Sequence, residues 1–193
     1  MTFSTILSEG NLIPADVLEQ IAAGQAEGQQ SADFGLEKSR RLTDEIAAAW
    51  SDARVTWDAF QRSLRRRPEG TRDTDPATSI TRERWVLPLL EMLGYRLTYT
   101  PAAAIVGGQT YAISHRAGPD ENAPPIHVEG FRRTLDERPA SGRPRLSPHA
   151  LMQEYLNGTE HLWGIVTNGA RLRLLRDSSR TSRPSYVEFD LQA

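Results

Sequence analysis

The sequence has no cysteine. That excludes a disulfide framework, a thiolate metal site and a cysteine nucleophile, and it suits the reducing cytoplasm expected here. Long apolar runs are missing as well. Stretches such as Ile46–Trp50 and Leu87–Leu90 fall far short of the roughly 20 residues that a membrane helix needs. Met1–Gly10 lacks both the basic start and the apolar stretch of a secretory signal. Charge of one sign is not in excess. The chain carries 23 Lys+Arg against 25 Asp+Glu, a formal net charge of −2, so no global field draws it onto a polyanion. Lysine is nearly absent, with Lys38 standing alone among the 23 basic residues.

What is present is a chain of 193 residues, enough for one domain or a modest domain with an appendage. Hydrophobic residues at 38% and charged residues at 25% are ordinary for a globular protein with a polar lean. The arginines are clustered: Arg62, Arg65, Arg66 and Arg67 in one group, Arg132, Arg133, Arg138, Arg143 and Arg145 in a second. Arg171, Arg173, Arg176, Arg180 and Arg183 form a third. Arginine suits bidentate phosphate contacts. A GC-rich genome produces the same bias, so composition leaves both explanations open.

The texture changes near residue 80. Before it, Asn11-Leu-Ile-Pro14 leads into a short helix through Val17, Leu18 and Ile21. A long helix from Leu36 to about Arg66 follows, because Leu42, Ile46, Trp50, Ala53, Trp57, Phe60 and Leu64 recur at steps of three and four. Pro68-Glu-Gly70 ends it, and a polar linker runs to residue 79. After it, Thr81 is expected to cap a helix through Leu93, with Gly94 as its stop. Strands are expected over 95–99, 109–115 and 126–129, then a helix over 148–157 opened by Ser147. A hairpin at Asn168-Gly169 joins strands over 161–167 and 171–176, and a last strand covers 186–191. The expected organisation is therefore a helical arm and linker over 1–79 and an α/β domain over 80–193.

Three segments of that domain look familiar together. Thr81-Arg-Glu-Arg-Trp85 through Gly94-Tyr95 resembles the first helix and turn of nuclease-like domains in restriction enzymes. Leu151-Met-Gln153-Glu-Tyr155-Leu-Asn157 resembles their glutamine-bearing helix, and Gly164-Ile-Val-Thr-Asn168-Gly169 resembles their I-(V/L)-T-N-G hairpin. Asp33-Phe-Gly-Leu36 and Ala49-Trp50 in front resemble the leader of large single-chain adenine methyltransferases, the type IIG-like restriction–modification enzymes and related phage-defence methylases. The resemblance implies a restriction-endonuclease-like, PD-(D/E)xK-type mixed sheet flanked by helices, with an N-terminal helical arm. It also implies a parent protein that uses S-adenosylmethionine, with DNA and the remainder of a methyltransferase chain or other defence subunits as partners, and no membrane. The cofactor chemistry lies outside these residues. The only Pro-Pro is Pro124-Pro125, preceded by Ala123, so the methylase tetrapeptide is missing. The chain stops just after a strand, at Phe189-Asp-Leu-Gln-Ala193, and is expected to be a fragment or a truncated product.

In such a nuclease an aspartate on the second strand and a Glu-x-Lys on the third hold Mg²⁺ and activate water. Here Ser114-His115 stands where the aspartate belongs. Glu129 matches the glutamate, and Phe131 replaces the lysine. Arg132 and Arg133 are poor substitutes, since a guanidinium does not act as a base near neutral pH. The expectation is a scaffold without nuclease chemistry, a non-catalytic DNA-contacting or docking module. Its DNA-binding residues are expected to be Arg65, Arg66, Arg67, Arg132 and Arg133. The main rival is an Mg²⁺-dependent endonuclease with a relocated site built from Glu91, Glu129 and Asp120; the degenerate catalytic candidates are Glu91, Glu129 and Gln153, the last offering only a neutral carbonyl. A third reading is a protein-interaction scaffold that never touches DNA. His115 and His127, on strands expected to be neighbours, could share a metal only with a third ligand. Trp50 and Trp57, seven apart on one helix face, read as core rather than as base-stacking residues.

Overall fold

The computed structural model describes residues 3–66, 77–139, 145–179 and 185–193. Nine strands are present among them: β1 (Ile6–Glu9), β2 (Thr98–Tyr99), β3 (Ala104–Val106), β4 (Gln109–Tyr111), β5 (His115–Arg116), β6 (Pro125–Val128), β7 (Trp163–Thr167), β8 (Arg171–Arg176) and β9 (Tyr186–Asp190). The helices are α1 (Ala15–Ala22), α2 (Leu42–Arg65), α3 (Thr78–Thr81), α4 (Leu87–Met92) and α5 (Pro148–Asn157). A π-helical turn, Arg82–Val86, joins α3 to α4. Pro88 explains that turn, because without an N–H it cannot bond the carbonyl one turn back and the helix widens before it.

Seven strands form one sheet in the order β1-β9-β8-β7-β6-β5-β2, and β3 pairs with β4 as a separate hairpin. Only β6 and β7 run parallel; the other neighbours are antiparallel. The parallel pair needs a crossover, and α5 supplies it. The protein is a mixed α/β fold with a mostly antiparallel sheet and flanking helices. The central strands are covered on both faces. Ile126, Val128, Ile165 and Leu172 pack with Phe60, Trp85 and Leu90 on one side. Val166 and Leu175 pack with Leu151, Met152, Tyr155 and Leu156 of α5 on the other. Consecutive residues Ile165 and Val166 thus serve opposite cores, which is why this stretch reads as an unbroken apolar run. Helix α5 lies so close to β7 that a Cβ on Gly164 would sit 2.7 Å from the Met152 sulfur.

Several boundaries differ from the sequence expectation. The long helix starts at Leu42 rather than Leu36, and a 3-10 turn, Ser31–Phe34, precedes it. Thr81 is no cap. The helix has already begun at Thr78, and the buried Thr81 hydroxyl donates to the Ala77 carbonyl at 2.8 Å and accepts from the Phe131 amide at 3.0 Å. The strand expected over 109–115 is two short ones, β4 in the hairpin and β5 in the sheet.

The largest difference concerns the expected arm. Its described elements are not separate from the α/β core: β1 pairs with β9 as an edge strand, and α2 places Ala53 and Phe60 in the same cluster as Trp85. The periodicity of α2 located the packed side of its second half, Ala53, Trp57, Phe60 and Leu64, whereas Ile46 and Trp50 of the expected stripe are exposed; periodicity does not say what a stripe packs against. The polar linker over 67–76 lies outside the described residues.

Candidate nucleic-acid interface

The hairpin between β7 and β8 organises this end of the molecule. Asn168 bonds Arg171 across the turn, so Gly169 and Ala170 are its two central residues, one step beyond the Asn168-Gly169 pair expected. Positive φ, +79°, occurs at Gly169, where glycine has no steric cost. The Asn168 side-chain oxygen accepts from the amides of Ala170 and Arg171 at 3.0 and 2.8 Å. Its amide nitrogen donates to the Arg133 carbonyl at 2.6 Å. Asn168 therefore clamps the loop after β6, which carries Arg132 and Arg133, onto the hairpin. His149 N–H donates to the Leu135 carbonyl at 2.9 Å and fixes the loop's far end.

Below that loop lies an ion network centred on the buried Arg173. The Arg173 guanidinium donates to both Asp136 oxygens at 2.7 and 2.8 Å, and its Nε donates to Glu188 at 2.6 Å. Arg173 also donates to His149 Nδ1 at 3.1 Å and lies over the Tyr186 ring at 4.8 Å. Burial opposes a charge on Arg173, yet the two carboxylates hold its pKa above the ordinary value. Hydrogen bonding from Arg173 pulls the Asp136 carboxyl below the usual range. Burial, reinforced by the Arg173 charge, lowers the His149 pKa, which fits a neutral ring accepting at Nδ1. Arg171 pairs with Asp190 and, at 3.7 Å, with Glu188. In the sequence Arg171 and Arg173 stand only as members of the third arginine cluster, with no partner assigned. The signal passed over was an arginine between Leu172 and Leu174-Leu175, since a charge inside an apolar strand demands a buried partner.

Two clefts meet at Gln192. One, of about 380 Å³, includes Arg132, Arg133, Thr134, Asn168 and Arg171 in its lining. The other, of about 550 Å³, is lined by Trp57, Asp58, Gln61, Arg62, Arg65 and Gln192. Arg65 and Arg66 are exposed at the end of α2, and Arg67 lies outside the described residues. Arg132 is exposed and Arg133 half-buried. The fold thus brings Arg65, Arg132 and Arg133, from two sequence clusters, to adjoining concave surfaces. Gln192, close to the chain end, carried no sequence signal. A larger cleft of about 740 Å³ is lined by Asn11, Asn157–Glu160 and Asp177. Its lining sets one arginine, Arg176, against two carboxylates, Glu160 and Asp177, whereas the 380 Å³ cleft sets Arg132, Arg133, Arg171 and Arg173 against Asp136 and Glu188, and the 550 Å³ cleft sets Arg62 and Arg65 against Asp58. Comparison with family models, with curated proteins and with solved structures finds no match to this chain.

The residues of the expected relocated metal site are not brought together. Glu129 accepts from the Gly130 amide at 2.8 Å and stands 3.5 Å from the Thr78 hydroxyl at the start of α3. Glu91 is exposed near the other end of the same continuous helix, 13 residues and roughly 20 Å from Thr78. Gln153 sits on α5, across the sheet, where its amide donates to Asn157 and to the Arg176 carbonyl. Asp120 is exposed and accepts from the Asn122 amide in its own loop. Among the described residues no group of three or more His, Asp or Glu is placed to hold a metal ion.

Phe131 packs edge-on against Trp57 and Phe60, with centroids 5.8 and 5.4 Å apart, in a cluster completed by Trp85. His115 and His127 do lie on neighbouring strands, but they occupy adjacent pairs in the register, His115 opposite Ile126. Alternation sends them to opposite faces, so they cannot share a metal. Burial lowers both pKa values; Arg82 adds to the effect at His115. Trp50 departs from the core expectation as well: it is 62% exposed. Among the described residues no helix is long and apolar enough to cross a membrane.

Proposed function

We propose that this chain is a nuclease-like scaffold that contacts DNA without cutting it, as a module of a restriction–modification or phage-defence methyltransferase. S-adenosylmethionine chemistry belongs to the remainder of that system. The observation that carries the reading is the convergence of Arg62 and Arg65 with Arg132 and Arg133 on two clefts joined at Gln192. Side chains about 70 residues apart in sequence line adjoining surfaces, and arginine forks suit phosphate oxygens.

The strand run β2-β5-β6-β7, with α3–α4 on one face and α5 crossing from β6 to β7, supports a restriction-endonuclease-like core. The residues at the expected metal position do not fit Mg²⁺, which wants several oxygen ligands in octahedral geometry. Glu129 is engaged by its own loop, Phe131 fills the lysine position with aromatic packing, and Glu91 is distant. The relocated-endonuclease reading therefore has no assembled site to rest on.

Binding of a labelled short duplex, measured against salt, tests the proposal. Affinity should be sequence-independent and fall steeply with added salt. Replacing Arg65, Arg132 and Arg133 by Ala should weaken binding and flatten the salt slope, by about 1 for each phosphate that is no longer neutralised. No binding at low salt overturns the reading and leaves the protein-interaction scaffold.

A further inference from the structure

Helix α2 carries a second surface feature that the arginine cleft alone does not use. At 100° per residue, Trp50, Arg54, Trp57, Gln61 and Arg65 fall on one stripe, at intervals of four, three, four and four residues. The stripe runs roughly 22 Å along the helix, beside the buried line of Ala53 and Phe60. Trp50 is 62% exposed, the largest side chain left open on this helix. Trp57 is half-buried, held edge-on against Trp85 at 4.9 Å, and lines the same cleft as Arg62 and Arg65. Trp50, one turn from Arg54, is left open, and the part of Trp57 that packing against Phe60, Trp85 and Phe131 leaves uncovered lines the cleft with Arg62 and Arg65. The charged groups near the stripe are Arg54, Arg62 and Arg65 against Asp58, a positive balance.

We propose that this face of α2 binds a single-stranded stretch of nucleic acid, with bases stacked on Trp50 and Trp57 and phosphates on Arg54, Arg62 and Arg65. Alternating aromatic and basic side chains are what an unpaired strand requires. Its bases offer free π-faces for stacking while its backbone follows a positive track. Paired bases in a duplex are already stacked and offer no face to an indole. Gln61 and Gln192, in the lining of the same cleft, each carry a donor and an acceptor for a base edge. The inference rests on the DNA-contacting reading and refines it from phosphate contact to a strand-selective site.

The test compares a labelled single-stranded oligonucleotide with its duplex at low salt, using the full chain. The single strand should bind more tightly. Trp50→Ala should lose about tenfold on the single strand, the order that base stacking contributes, and leave duplex binding unchanged. Trp50→Phe, which keeps a π-face, should stay within about twofold of wild type on the same scale. Trp50 is exposed, so the thermal midpoint of both variants should match wild type, and Arg54→Ala supplies an independent variant on the same stripe. Tighter duplex binding, or equal losses on both forms, overturns the strand preference while the DNA-contacting reading stands. Failure to bind either form overturns both. Loss of self-association in Trp50→Ala without a change in DNA affinity reassigns the stripe to a protein interface.

Discussion

The indole N–H of Trp85 donates to the Gly169 carbonyl at 2.7 Å, tying the helix on one face of the sheet to the turn between β7 and β8. A Cβ built on Gly169 would lie 2.9 Å from the Thr81 methyl and 3.0 Å from Trp85 Cδ1. The turn therefore sits flush on the helix only because position 169 has no side chain. The same turn aims Asn168 at the loop that carries Arg132 and Arg133.

Gly169→Ala should accordingly be costly twice over, through its φ of +79° and through the clash. Left-handed backbone costs a non-glycine residue about 1–2 kcal/mol, and displacement of the indole adds to it. Trp85→Phe, which keeps most of the packing, should lose about 1–3 kcal/mol by leaving a buried carbonyl unpaired. Urea unfolding midpoints of both variants measure this, and a Gly169→Ala midpoint equal to wild type would show that the turn moves freely.

Arg173 should be the least replaceable arginine. Its side chain is 8% exposed, and Arg173→Met would leave the Glu188 carboxylate, itself 15% exposed, with only the longer contact to Arg171 at 3.7 Å. Breaking a buried pair in this way costs about 3–5 kcal/mol. Asp136 is 67% exposed, so solvent screens it and Asp136→Asn should cost under about 1 kcal/mol. The double variant Arg173→Met, Glu188→Leu should recover much of the stability. If it proves no better than the single variant, the charge argument fails and packing carries the site.

Acid should destabilise the fold before its carboxylates titrate. His115, His127 and His149 all have pKa values lowered from 6.5, in each case chiefly by burial. As the pH falls below 6.5 the unfolded chain takes up protons that the folded chain refuses, so stability falls with pH through that window. Asp136 and Asp190, depressed by Arg173 and Arg171, add a second loss below 3.8. Unfolding midpoints on either side of 6.5 report the first window, and His127→Gln should flatten it. A profile that is level, or rises, on acidification contradicts the burial of these rings.

Cleavage should not be recovered by restoring the missing lysine. Phe131→Lys would place an ammonium among Trp57, Phe60 and Trp85 and should cost about 2–3 kcal/mol of packing. Neither that variant nor wild type should cut long DNA with Mg²⁺ or Mn²⁺. Cutting by wild type that vanishes in Glu129→Ala would establish a working nuclease and reverse the assignment.

Local signals made much of the architecture legible. Ser147 caps α5 through the Ala150 amide at 3.2 Å, and the helix spans Pro148–Asn157 as its pattern predicts. Strand β8 likewise spans Arg171–Arg176, where alternation and the preceding turn place it. Strand β1 was not legible, because four residues of mixed polarity at an edge carry no pattern until β9 pairs with them. The candidate site was legible only in part. Arg65, Arg132 and Arg133 were read from clustering, while the roles of Arg173, Asn168 and Gln192 depend on neighbours far along the chain.

What the sequence by itself determined is local: turns, caps, the apolar stripe of α2, and the absence of thiols and scarcity of lysine that narrow the chemistry. Periodicity and backbone preference act over a few residues, so they can be read along the chain. What only the tertiary structure decided is which faces meet. A shift of one residue in a strand reverses the face, and so His115 and His127, neighbours in register, part company. Likewise helical spacing put Trp50 and Trp57 on one face of α2, but only packing against the α3–α4 helix left Trp50 open and set Trp57 in one cleft with Arg62 and Arg65.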